Sequence, residues 1–148
     1  MRPDAAALPA ASLLSTGAMP ATVLVIADSL DISALISRCL AGTGVRTLIA
    51  NDVRHAGLIL ERERCEAVVL DLAAPGHCDA VLQWLKRDPA RAAMAIIRVS
   101  ALARHGGAPR GEIRADLVVP KPFSPRQIAD AIRTALVRRA ARLSLHAA

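Results

Sequence analysis

Five short apolar runs, each closed by polar or turn residues and followed by a helix-sized interval, constrain this chain more than anything else in it. Val23–Ile26 ends at Ala27-Asp28, Val45–Ala50 at Asn51-Asp52, Cys65–Leu70 at Asp71, Met94–Val99 at Ser100, and Leu117–Val119 at Pro120-Lys121-Pro122. Val23–Ile26 is apolar on successive residues and rich in β-branched side chains, which suits a strand buried on both faces. The first interval carries Ile32, Leu35, Ile36 and Leu40 at helical spacing, with Asp31 as a candidate cap and Gly42 and Gly44 as stops. The second carries Ala56, Leu58, Ile59 and Leu60 behind Asn51-Asp52, and the third carries Val81, Leu82 and Leu85 across roughly Cys78–Arg87. A last helix starts near Ser124-Pro125, with a serine cap and proline at the first helical position. In the fourth interval, Ala103–Gly111 holds three glycines and a proline, so the fourth helix is expected to be degraded and the segment mobile.

Strands alternating with helices imply a parallel sheet wound on both faces, an α/β doubly wound domain of five strands. The 148 residues allow one such domain. The expected boundaries are a disordered tail over 1–20, the folded domain over 21–140 and a short tail over 141–148. Residues 1–20 lack a continuous apolar stretch behind a basic start, which argues against a signal peptide. No apolar run approaches the roughly 20 residues of a spanning helix. Cys39, Cys65 and Cys78 form no CxxC pair and fit free thiols in a reducing cytoplasm. The net charge of +6 admits an acidic partner or nucleic acid, but Trp84 and Phe123 are the only aromatics. Stacking on bases is therefore nearly excluded, and a solvated basic surface is the simpler reading. The four histidines are scattered without metal-ligand spacing, Trp84 reads as packing, and Asp79 and Asp88 read as loop and cap residues. Arg133, Arg138, Arg139 and Arg142 read as a basic helix end that complements the dipole, or as a docking face for an acidic partner.

In a parallel sheet, polar chemistry gathers beyond the carboxyl ends of the strands. The residues placed there are Asp28, Asp71, Ser100 and Lys121. Two carboxylates side by side repel each other and invite a divalent cation, and oxygen ligands suit Mg²⁺. A lysine can hold a phosphoryl oxygen, a serine hydroxyl can bond another, and an aspartate can act as nucleophile. Lys121 is one of only two lysines beside seventeen arginines, and it stands between two prolines at a strand end. In a chain that uses arginine almost everywhere else, this points to a specified residue.

Over about residues 21–139, the chain resembles the receiver domain of bacterial response regulators, the CheY-like module of two-component phosphorelay signalling. The residues that carry the resemblance are V-L-V-I-A-D at the first strand, V-V-L-D-L-A-A-P-G at the third, R-V-S-A at the fourth and K-P-F after the fifth, with L-K-R-D-P before the fourth. Their order and spacing together are specific. The resemblance implies a flavodoxin-like fold with strand order 2-1-3-4-5. It further implies Asp71 as phosphoacceptor, Asp28 and Asp71 with the Ala73 carbonyl as Mg²⁺ ligands, Ser100 as the switch hydroxyl, Lys121 as the phosphoryl contact and a cis Lys121–Pro122 peptide. Its partners would be a histidine kinase or phosphotransfer protein and a downstream protein not named by the sequence. Neither nucleic acid nor membrane is expected, and a homodimer is compatible with the pattern.

The chain also departs from that family. Ala27 replaces the first acid of the pair, so Mg²⁺ should bind weakly. Val118 replaces the aromatic rotamer switch, and Asp79 replaces a glycine. The expected function is a stand-alone receiver that is phosphorylated on Asp71 and is not an enzyme. The alternative is a degenerate receiver acting as a phosphorylation-independent adaptor. A phosphohydrolase of the haloacid dehalogenase type would want a second aspartate two residues after the nucleophile, where Ala73 stands.

Overall fold

The computed structural model describes residues 21–73, 75–100 and 115–147. The expectations for the tail over 1–20 and for Ala103–Gly111, the degraded fourth helix included, lie outside these residues. The elements are β1 (Thr22–Ala27), α1 (Leu30–Leu40), β2 (Arg46–Ala50), α2 (Val53–Arg62), β3 (Ala67–Asp71), α3 (Pro75–Arg87), α4 (Pro89–Ala92), β4 (Ala95–Ser100), β5 (Leu117–Pro120) and α5 (Pro125–Ala147). All five strands are parallel and ordered β2-β1-β3-β4-β5. The order expected from the resemblance is therefore the order found.

Alternation along the strands builds two cores, because successive side chains leave opposite faces of a sheet. Val23, Val25, Val69, Ile97 and Val119 pack with Ile36 and Leu40 of α1 and Ile128, Ile132 and Leu136 of α5. Leu24, Ile26, Val68, Leu70 and Ile96 pack with Ala56 of α2 and Val81, Leu82 and Leu85 of α3. With both faces covered, side chains that need water are pushed to the strand ends, and this positions the site.

The caps hold the helices to those ends. Asp52 accepts from the His55 amide at 2.8 Å and starts α2. Ser124 and Gln127 form a reciprocal capping box, at 3.1 and 2.6 Å, and start α5. For α1 the cap is Ser29, which accepts from the Ile32 amide, and not the expected Asp31. Asp31 lies in the first turn, where its charge still faces the positive helix end. Past α1, Gly42 and Gly44 adopt φ of 81° and 87°, the left-handed conformation that makes them effective stops.

Asp88 is a cap, as read: it starts the one-turn α4 by accepting from the Ala90 and Arg91 amides. Two further expectations are corrected. Asp79 is a helix residue within α3, not a loop residue. The last helix runs to Ala147, so residues 141–147 continue α5 where a tail was expected. Alanine, leucine and arginine dominate that stretch, and no glycine or proline interrupts it after Pro125. The arginines read as its basic end therefore lie in the helix body. Arg139 donates to the Ala93 carbonyl at 2.9 Å and Arg142 pairs with Asp116 at 3.0 Å, tying α5 to the residues just before β4 and just before β5. Among the described residues, no helix is long and apolar enough to cross a membrane.

Candidate functional site

The carboxyl ends of β1, β3, β4 and β5 bring the four expected residues to one edge. Ala27 is in register with Asp71, and the Asp28 amide donates to the Asp71 carbonyl at 3.3 Å. Ser100 is in register with Pro120, and the Lys121 amide donates to the Ser100 carbonyl at 3.2 Å. The Lys121–Pro122 peptide is cis, as expected.

At the centre is an ion pair. The Lys121 Nζ lies 2.6 Å from the Asp71 Oδ1, with the aspartate side chain 4 % exposed and the lysine 34 %. The other carboxylate oxygen, Oδ2, is buried and has no hydrogen-bond partner among the described residues. A buried, half-satisfied carboxylate costs free energy unless another group completes its coordination. Beside it, Asp28 is exposed, and its Oδ2 accepts from the Ala73 amide at 2.7 Å. That bond draws the loop after β3 against the end of β1, so Ala73 joins the two aspartates at one place. Ser100 is half-buried at the end of β4.

The donor set fits a hard cation of modest demand. Two carboxylates and a backbone carbonyl offer only oxygen ligands, and the orphaned Asp71 Oδ2 is an acceptor with nothing to accept. Among the described residues no three His, Cys, Asp or Glu side chains cluster, so an ion here would keep several waters, as Mg²⁺ does. Ala27 is 2 % exposed and brings no ligand.

Sequence reasoning missed part of the surroundings. Asp28 lines a small cleft of about 160 Å³ with Asn51, Asp52 and His77. His77 carries no spacing signal and reaches the cleft only because α3 begins at Pro75. On the far side, Arg98 of β4 faces Asp79 at 3.8 Å, a charge contact too long for a hydrogen bond. Arg98 is in register with Val118, which is 49 % exposed where the resemblance expects an aromatic ring.

No family model matches the chain. It is 33 % identical over 120 residues to a probable transcriptional regulator, ycf27, of Porphyridium aerugineum, covering 78 % of this chain and 48 % of that one. It is 29 % identical over 119 residues to the phosphate regulon transcriptional regulatory protein PhoB of Pseudomonas aeruginosa, covering 79 % and 52 %. The chain thus spans about half the length of the curated relatives it matches. Among solved structures, the receiver domain of a sensor histidine kinase from Pseudomonas aeruginosa superposes with a TM-score of 0.67 at 19 % identity, covering 78 % of this chain and 97 % of that one. The fold is that of a response-regulator receiver domain. The receiver from Pseudomonas aeruginosa was solved with a magnesium ion coordinated in its active-site cleft.

Proposed function

We propose that this receiver accepts a phosphoryl group on Asp71 from a histidine kinase or phosphotransfer protein. The observation that carries the reading is the Asp71 carboxylate itself, held by Lys121 through Oδ1 and left with Oδ2 buried and unbonded. A carboxylate oxygen forms the new P–O bond as the donor's P–N bond breaks, and the departing imidazole nitrogen keeps the electron pair and takes a proton. Lys121 neutralises charge on a phosphoryl oxygen, and the Ser100 hydroxyl bonds another. Asp28, Asp71 and the Ala73 carbonyl would hold Mg²⁺, which when bound screens the carboxylates from the incoming anion.

The pairing of Asp71 with Lys121 favours this reading over an adaptor indifferent to phosphorylation, which has no use for a buried aspartate–lysine pair. The compartment follows as cytoplasmic, where such donors act.

Incubation with acetyl phosphate and Mg²⁺, read by intact mass, tests the proposal. One phosphoryl adduct is expected in the parent chain and none in Asp71→Asn. An adduct that persists in that variant would overturn the assignment.

A further inference from the structure

At the amino edge of the sheet, opposite the Asp71 pocket, the end of α2 faces α4 and the start of β4 across a cleft of about 430 Å³. The volume is in the range of small-molecule sites. Its charged lining is Arg62, Arg64, Arg91 and Arg139 against Glu61 and Glu63. Arg46, from outside the cleft, takes both oxygens of Glu63 at 2.9 and 3.0 Å. Arg91 pairs with Asp88 at 3.6 Å. Arg62, Arg64 and Arg139 then face Glu61 as the one uncommitted carboxylate of the lining.

Ordinary structural roles account for two of these arginines. Arg62 closes α2, where a cation complements the free carbonyls. Arg91 lies over the Trp84 ring at 4.2 Å and donates twice to the Trp84 carbonyl. They do not account for Arg64, which lies beyond the helix, and the anchoring of Arg139 engages its Nε alone, leaving its two terminal nitrogens without a hydrogen bond among the described residues. Arg62 and Arg64 have no hydrogen bond or ion pair among the described residues. Arg139 is half-buried and anchored through Nε to the Ala93 carbonyl. Burial pulls its pKa down, Glu66 counters this in part, and Arg64 and Arg142 add to the lowering. An anion entering the cleft would relieve that crowding.

We propose that this cleft binds a small phosphate-bearing anion, gripped by Arg62, Arg64 and Arg139. Guanidinium forks match phosphate geometry, and they supply the charge that the cleft lacks a partner for. Leu60, Cys65 and Met94 give it an apolar floor. No aromatic residue lines it, so recognition rests on charge and not on base stacking. The site is separate from the Asp71 pocket, since the two lie at opposite ends of the same parallel strands.

Calorimetric titration of the full chain with pyrophosphate and with ATP, in EDTA so that no metal engages Asp71, tests the proposal. One-site binding is expected, weakened by about tenfold or more in the double variant Arg62→Glu/Arg64→Glu and unchanged in Asp71→Asn. Both replaced arginines are exposed, and a thermal melt confirms that the variant folds. Equal affinity for the two ligands means that phosphate alone is read, and tighter ATP binding means that the apolar floor also takes the nucleoside. Binding of neither ligand, an unchanged affinity in the double variant, or loss in Asp71→Asn would overturn the proposal. Equally strong binding of hexaglutamate would also overturn it, in favour of an acidic protein partner.

Discussion

The two edges of the sheet carry opposite charge chemistry, although the same strands build both. At the carboxyl edge a nearly buried aspartate meets one lysine, and a second aspartate lies beside it. At the amino edge arginines outnumber the acids that could pair with them. Polarity of the fold explains part of the contrast. Each long helix starts within a few residues of a strand's carboxyl end, so positive helix ends converge where Asp28 and Asp71 sit. Negative helix ends converge at the other edge, beside Arg62, Lys86 and Arg87. The edges differ further in how tightly each charge is committed. The carboxyl edge places few charges in fixed pairs, and the amino edge leaves Arg62 and Arg64 in solvent without partners among the described residues. The first arrangement suits chemistry on a defined atom; the second suits capture of a ligand from solution.

The largest expected effect tests how dry the amino edge is at its base. Cys65 lies at the floor of the cleft, and burial, reinforced by Glu66 and Glu63, pushes its thiol up to about 11 from 9.0. A raised folded pKa means that the native state binds the proton more tightly than the unfolded chain. The resulting stability is complete below pH 9.0 and is lost as pH climbs to about 11. The loss should reach about 2–3 kcal/mol at the upper end of that window. Urea unfolding of the parent chain and of Cys65→Ala across this range measures it. The parent should lose stability more steeply, and parallel curves would show that the arginines keep the thiolate as comfortable folded as unfolded.

A cation removed from each edge in turn sharpens the contrast. Lys121→Ala leaves the Asp71 carboxylate 4 % exposed with no counter-charge. Breaking a fully buried pair costs about 3–5 kcal/mol, and the partial exposure of Lys121 reduces the expected loss to about 1–3 kcal/mol. Arg64→Ala removes an exposed guanidinium with no described partner and should change stability by no more than about 0.5 kcal/mol. Chemical denaturation of the two variants side by side makes the comparison. Equal losses would mean that the edges do not differ in commitment.

The edges also differ in how far the sequence revealed them. Asp28, Asp71, Ser100 and Lys121 could be read because each closes an apolar strand, and strand ends converge in any parallel sheet. Lys121 stood out further as a lysine in an arginine-rich chain. The amino-edge cleft was invisible, because its walls come from residues 60–65, 90–94 and 139, which only the finished fold joins. Local competition caused the smaller misses. Ser29 and Asp31 both suit a helix cap, and only the backbone at Ser29, extended with φ −105° and ψ 128°, decides between them. The extension of α5 past residue 140 was missed because the buried stripe ends at Leu136. Beyond it, propensity and the polar contacts of Arg139 and Arg142 continue the helix, and an apolar pattern cannot register those.

The smallest expected effect lies in metal affinity at the carboxyl edge, where Ala27 marks what this site lacks. Ala27 is 2 % exposed and in register with Asp71, so a carboxylate placed there enters buried space beside two others. Without a cation the added charge repels its neighbours, and Ala27→Asp should melt below the parent chain in EDTA. With Mg²⁺ present the same charge attracts the ion or its water shell, and affinity should rise by about tenfold, equivalent to about 1.4 kcal/mol. Ala27→Asn has nearly the same shape without the charge and should show no gain in affinity. Magnesium titrations of the three chains, read by calorimetry and by the shift in melting temperature, separate charge from shape. If Ala27→Asp gains nothing over Ala27→Asn, the ion does not sit within reach of residue 27, and the proposed ligand set of Asp28, Asp71 and the Ala73 carbonyl must be redrawn.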